Sequence, residues 1–128
     1  MTRYLVETSV IIEYLRGNTE WVEKLNNLDG EICSSYVCLA ELYEGIARDT
    51  KGGAEAKILK FFRSLTEVYG IDTKIAENFG RLRADLKRSG KVIEDMDILV
   101  AATCKTYGLV LVTVNKSHFQ RIFGLEVI

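Results

Sequence analysis

The stretch Tyr4-Leu5-Val6-Glu7-Thr8-Ser9-Val10-Ile11-Ile12-Glu13-Tyr14-Leu15 decides how the chain is read. A short apolar run ends on a carboxylate, passes two hydroxyls and resumes as a second apolar stretch. Strands buried on both faces carry continuous apolar runs rather than alternation. Residues 4–6 are therefore expected as a buried strand and residues 10–15 as a helix. Thr8 or Ser9 can cap that helix, and Gly17 can close it. A charge at the end of such a strand is either a cap or the first corner of a site.

Working outward, Asn18 or Thr19 caps a second helix with the apolar face Trp21, Val22, Leu25 and Leu28. Asp29-Gly30 is a turn, and residues 31–33 read as a second strand. Ser34-Ser35 opens a helix to about residue 48. Glu41 lies mid-helix, and its neighbours Val37, Cys38 and Gly45 give it small or apolar company. Residues 54–65 form a helix with the stripe Ile58, Phe61, Phe62 and Leu65, followed by a third strand at 67–71. Asp72 or Thr73 caps a long helix that Gly90 closes; Arg83, Lys87 and Lys91 make a basic row along it. Asp95 and Asp97 enter the first turn of a helix running to 107, where the helix dipole favours negative charge. Residues 109–112 are a wholly apolar fourth strand. Thr113 and Asn115 follow, then a short turn with His118, then a final edge strand at 124–128.

Composition narrows the class. A chain of 128 residues, 48% hydrophobic, suits one domain spanning 1–128 with its own core. No apolar run approaches the ~20 residues that span a bilayer, and no signal-peptide pattern opens the chain. Cys33, Cys38 and Cys104 form no CxxC pair, which suits reduced thiols and a cytoplasmic location. A single histidine excludes a multi-histidine metal site. The net charge of −1 hides a segregation: residues 48–91 carry 11 Lys/Arg against 6 Asp/Glu, and the remainder carries 6 against 12. Such a basic middle suits a polyanion, while solvated helix faces are the plainer explanation.

Strands alternating with helices imply an α/β fold with a mainly parallel sheet and helices on both faces. Ligands in such folds bind beyond the carboxyl ends of the strands, where strand order reverses. The runs at 4–6 and 109–112 make the best central pair. Their ends deliver Glu7 with Thr8-Ser9, and Thr113 with Asn115. Asp97 starts the preceding helix at the same end, and Glu41 comes from the helix after strand 2. Several acids in one concavity need a cation to coexist. Oxygen-only ligands suit Mg²⁺ or Mn²⁺. The plainer readings are caps for Asp95 and Asp97, turn residues at 113 and 115, and a packing histidine at 118.

The opening string resembles the first motif of PIN-domain proteins, especially VapC-type toxins, whose motif normally starts on aspartate. Residues 34–45, with Leu-Ala-Glu-Leu-Tyr-Glu-Gly, resemble the second motif; Glu94-Asp-Met-Asp-Ile-Leu-Val-Ala-Ala resembles the third; Leu111-Val-Thr-Val-Asn115 with Phe119 resembles the fourth. Together they cover nearly the whole chain in order. The resemblance implies a three-layer PIN-like fold whose mainly parallel central sheet has about five strands. It also implies a Mg²⁺- or Mn²⁺-dependent endoribonuclease, the toxin of a type II toxin–antitoxin pair that cleaves tRNA or rRNA. Its partners would be a second copy of itself and a VapB-type antitoxin, through which it would reach operator DNA, with no membrane. By motif position, Glu7, Glu41 and Asp97 are the catalytic acids, and Glu7, Asp97 and the accessory Asp95 the metal ligands. Ser9, Thr113 and Asn115 support them, and Arg83, Lys87 and Lys91 would meet the RNA backbone.

Glu7 departs from that pattern. It keeps the charge of aspartate but adds a methylene, moving its oxygens by about 1.5 Å. Metal binding is then expected to survive while turnover falls. The alternative is a catalytically weak PIN module that acts mainly by binding antitoxin or RNA. A receiver-type phosphate-binding domain fits poorly: it needs a phosphorylatable Asp after a central strand and a Lys after the last, and neither is in place. Crowded acids further imply that neutralising Glu7 or Asp97 stabilises the metal-free protein.

Overall fold

The apolar run at the start of the chain becomes the second strand in from one edge of a parallel sheet. The structure, a computed structural model, describes all 128 residues. In chain order the elements are β1 (Arg3–Val6), α1 (Thr8–Leu15), α2 (Thr19–Asn26), β2 (Glu31–Ser35) and α3 (Tyr36–Ala47). Then come α4 (Ala54–Arg63), β3 (Glu67–Tyr69), α5 (Thr73–Arg88), α6 (Asp95–Tyr107), β4 (Val110–Val112) and α7 (Lys116–Phe119). The sheet order is β3-β2-β1-β4, all parallel, with Leu5 opposite Cys33 on one side and Leu111 on the other. β1 leads outward to β2 and β3, whereas β4 joins on the opposite side of β1. The strand order therefore reverses between β1 and β4, the expected central pair.

Alternation along the strands divides the core into two layers. Leu5 and Leu111 face a cluster with Cys38, Leu86, Ile98, Ala101 and Phe119. Val6 and Val112, one residue on, face Val10, Trp21, Leu42, Ile58 and Phe62. Helices thus cover both faces, and Leu5, Val6, Leu111 and Val112 are fully buried. Cys33, Cys38 and Cys104 are buried and unpaired; burial pushes all three thiols up. No helix is long and apolar enough to cross a membrane.

Three caps fall where the sequence puts them, whereas α1 is capped by Glu7 rather than by Thr8 or Ser9, because the Glu7 carboxylate takes the Ser9 amide. Asn18 accepts from Glu20 N, Asp72 from Ile75 N, and Ser35 from Cys38 N. β2 runs two residues further than expected because Ser34 is still strand and fully buried, its hydroxyl donating to Val6 O at 2.8 Å. Gly30 is needed for contact: a Cβ there would lie 2.2 Å from Thr2 O, the acceptor of Glu31 N. The expected fifth strand at 124–128 is reduced to a single parallel bridge, Leu111 with Val127. With β4 only three residues long, the tail has little strand to follow. It still donates from Ile128 N to Leu111 O and accepts from Leu111 and Thr113. α6 starts at Asp95, taking both of its acids into the first turn, and the expected turn around His118 is the short helix α7.

Candidate active site

Glu7 ends β1 and caps α1 at once. Its amide donates to Val112 O, continuing the sheet, while its carbonyl accepts from Val10 N and Ile11 N, starting the helix. The residue is 5% exposed, and its carboxylate accepts three hydrogen bonds. Oε1 accepts from Ser9 Oγ at 2.6 Å and Thr113 Oγ1 at 2.5 Å, and Oε2 from Ser9 N at 3.2 Å. The two hydroxyls are themselves oriented from the loop after β4. Val114 N donates to Ser9 Oγ and Asn115 N to Thr113 Oγ1. Two amide–hydroxyl–carboxylate relays thus tie the carboxyl ends of β1 and β4 together. Because a hydroxyl can accept one proton while giving its own, each relay satisfies every group along it.

Glu41 reaches the same end of the sheet from α3. Thr8 Oγ1 donates to its Oε1 at 2.8 Å. Burial pushes the Glu41 carboxyl above its ordinary range; the Thr8 hydroxyl opposes this, and the charges of Glu7, Asp97 and Glu94 add to the rise. Four acids from three separate parts of the chain therefore act on one another. Asp97, in the first turn of α6, has a side chain 18% exposed, and its Oδ2 lies 2.9 Å from His118 Nε2 on α7.

The structure brings Glu7, Ser9, Thr113, Glu41 and Asp97 to one place, but not every expected site residue. Asp95 turns outward: its Oδ1 pairs with Arg83 Nε at 2.8 Å, and both side chains are well exposed. Helical geometry sends positions 95 and 97 to different sides, so the structure does not bring Asp95 together with Asp97. Asn115 contributes backbone rather than side chain. Its carbonyl accepts from His118 N and Phe119 N, and its side chain does not cap α7. Of the basic row, Arg83 is held by Asp95, Lys91 donates to Arg121 O, and Lys87 is exposed. Thr8, read from the sequence as a cap beside Glu7, His118, read as a packing residue, and Glu94, given no role of its own, all lie by this cluster. Thr8 stands next to a recognised hydroxyl, Glu94 next to two recognised acids, and His118 carries no local signal for its partner.

No three Asp, Glu, His or Cys side chains stand close enough to grip one ion directly. The donor set nonetheless fits a hard cation that keeps much of its water. Mg²⁺ in particular binds through one or two carboxylates with several waters and substrate phosphate oxygens. Glu41 and Asp97 supply such a pair, and their mutual repulsion is what a cation would relieve.

Carboxylates without thiols or clustered imidazoles, gathered where the order of a parallel sheet reverses, define an α/β domain of the acidic nuclease type. The PIN domain family matches residues 4–124, and the chain belongs to that family, in its VapC-type ribonuclease branch. It is 30% identical over 127 residues to ribonuclease VapC2 of Haemophilus influenzae, covering 98% of this chain and 96% of the relative. The tRNA(fMet)-specific endonuclease VapC of Shigella flexneri is 29% identical over 127 residues, with 98% and 96% covered. Among solved structures, VapBC2 from Rickettsia felis bound to a DNA fragment from its promoter superposes with a TM-score of 0.91 at 26% identity, covering 99% of this chain and 98% of that one. PIN-domain ribonucleases are divalent-cation enzymes as a class.

Proposed function

We propose that Glu41 and Asp97, with Glu7 behind them, form a Mg²⁺ or Mn²⁺ site at which this VapC-type ribonuclease hydrolyses RNA phosphodiesters. The observation that carries this is geometric: Glu41, held by Thr8, and Asp97, held by His118, gather with Glu7 where the order of the parallel sheet reverses. Burial and the neighbouring acids also push the Glu41 carboxyl up, which suits a site that takes a cation. When bound, a divalent cation supplies an activated water and neutralises charge on the phosphoryl group.

The chain's own residues then have distinct tasks. Glu41, steadied by Thr8, and Asp97, steadied by His118, present carboxylate oxygens to the cation. Glu7 keeps the ends of β1 and β4 in register through Ser9 and Thr113, and its second oxygen, Oε2, retains room for one more partner. The cations of α5, Arg83 foremost through its contact at the start of α6, suit the phosphate backbone. A structured RNA such as a tRNA is the favoured substrate, in line with the Shigella relative's name.

The role that follows is the toxin of a cytoplasmic toxin–antitoxin pair, one domain per chain and two chains per dimer, held by a VapB-type antitoxin that binds operator DNA. A groove between α1, α3 and α4 suits a segment of that antitoxin. Its floor is Ile12, Leu15, Leu42 and Ile58, and its rim carries Arg16, Lys51 and Lys57 against a single acid, Asp49. An acidic amphipathic helix matches both.

A second reading has its own support. All three donors around Glu7 point at its carboxylate, so a module that binds antitoxin or RNA while cleaving slowly also fits. Cleavage of total tRNA with Mn²⁺, with and without EDTA, separates the two. Cation-dependent scission supports the enzyme, and binding without scission supports the weak module.

A further inference from the structure

Asp97 offers two oxygens, and the chain uses only one of them. Its Oδ2 is 2.9 Å from His118 Nε2, while Oδ1 makes no hydrogen bond. An ionised carboxylate only accepts, so Nε2 carries the hydrogen in this contact. The contact joins α6 to α7, 21 residues further along the chain. His118 is not free to swing. Its amide donates to Asn115 O, and its ring sits edge-on to Phe119 at 5.4 Å, which is itself 1% exposed in the core. The imidazole is thus a fixed donor aimed from the loop after β4 at one oxygen of one carboxylate in the acidic cluster.

We propose that His118 is a positioning residue for the cation site, donating Nε2–H to Asp97 Oδ2 and so presenting Asp97 Oδ1 to the cation. The inference rests on the reading of Glu41 and Asp97 as cation ligands. Without the histidine, the carboxylate can rotate about its last torsion, which has broad wells, and its geometry toward a shared ion is lost. Hydrogen-bond partners behind a ligand typically contribute ~10–100-fold to metal affinity or activity. His118 therefore gives α7 a function beyond closing the core: it couples the end of β4 to the start of α6 across the site.

The test uses the metal-free full-length chain and Mn²⁺ alone, titrated by calorimetry and by the Mn²⁺ paramagnetic resonance signal. The variants are His118→Gln, which keeps a donor of similar reach, His118→Leu, which keeps bulk without a donor, and Asp97→Asn. The proposal expects parent-like Mn²⁺ affinity in His118→Gln and a Kd ~10–100-fold weaker in His118→Leu. On an RNA substrate, kcat should fall in His118→Leu with KM unchanged, which a general loss of packing would not produce. If His118→Leu does not fold by its metal-free melt, His118→Asn, whose amide falls short of Asp97, takes its place. Equal Mn²⁺ affinity in the Leu and Gln variants overturns the positioning role, and so does a Gln variant as weak as Leu. If Asp97→Asn binds Mn²⁺ as tightly as the parent, the cation-site reading itself fails, a result distinct from failure at His118 alone.

Discussion

Glu7 meets three donors with a side chain one methylene longer than an aspartate's. Its carboxylate accepts from Ser9 Oγ, Ser9 N and Thr113 Oγ1 while its charge still acts on Glu41. Glu7→Asp would draw the carboxylate oxygens back by about 1.5 Å, to the length that the family's first motif normally has. A ~1 Å misplacement of a catalytic group can cost ~100-fold in rate, so Glu7→Asp is expected to raise RNA cleavage by up to that order. An unchanged rate would show that Glu7 is not what limits turnover. Glu41 supports a pH prediction. Burial and neighbouring acids hold its carboxyl above the ordinary value of 4.5. Above its raised folded pKa the group costs stability, because the folded chain must give up a proton that it holds more tightly than the unfolded chain does. That cost is relieved as pH falls through the folded pKa and is gone below the ordinary value. Metal-free Glu41→Gln should therefore melt higher than the parent at neutral pH, with the gap closing as pH falls toward 4.5. A lower-melting Glu41→Gln at neutral pH would contradict the crowding. The sequence-based form of this expectation named Glu7 and Asp97. Glu41 is the third acid of the same cluster, so the same test applies to it.

The elements were legible wherever period and punctuation agree. The continuous apolar runs at 4–6 and 109–112 marked β1 and β4 as central neighbours, and the caps Asn18, Ser35 and Asp72 start their helices as their side-chain chemistry directs. Less legible were features that packing decides. The tail at 124–128 has a strand's composition, yet it pairs only as far as β4 extends. Position along the chain placed Asp95 beside Asp97, but the helical turn sends one to Arg83 and the other to His118. His118 and Asp97 are 21 residues apart, and only the docking of α7 through Phe119 brings them together. Gly30 gives a prediction at this scale. Gly30→Ala drives a methyl into Thr2 O where β1 and β2 begin, and is expected to cost about 1–3 kcal/mol. Chemical denaturation would show this as a lower midpoint with an unchanged slope. An unchanged midpoint would mean that the strand entry adapts without cost.

At the scale of the whole molecule, the acids and the apolar groove occupy different parts of α1. Glu7 sits at its start, and Ile12 and Leu15 lie one to two turns along. Catalysis and antitoxin capture can then be separated by mutation. Ile12→Glu, on a residue already 37% exposed, is expected to weaken association with an acidic VapB-type partner while leaving Mn²⁺ affinity at the parent level. Loss of both together would place the two functions on one surface. The charge division of the sequence also has a spatial meaning in the fold, since α5 packs beside α6, whose first turn carries Asp97.

The central claim is that Glu41 and Asp97 hold the cation on which RNA cleavage depends. It is tested most directly by the cleavage rate of the parent and of Asp97→Asn on tRNA with saturating Mn²⁺. The account predicts scission by the parent that EDTA abolishes, and a rate at least ~100-fold lower in a folded Asp97→Asn. Equal cleavage by the two proteins would contradict it.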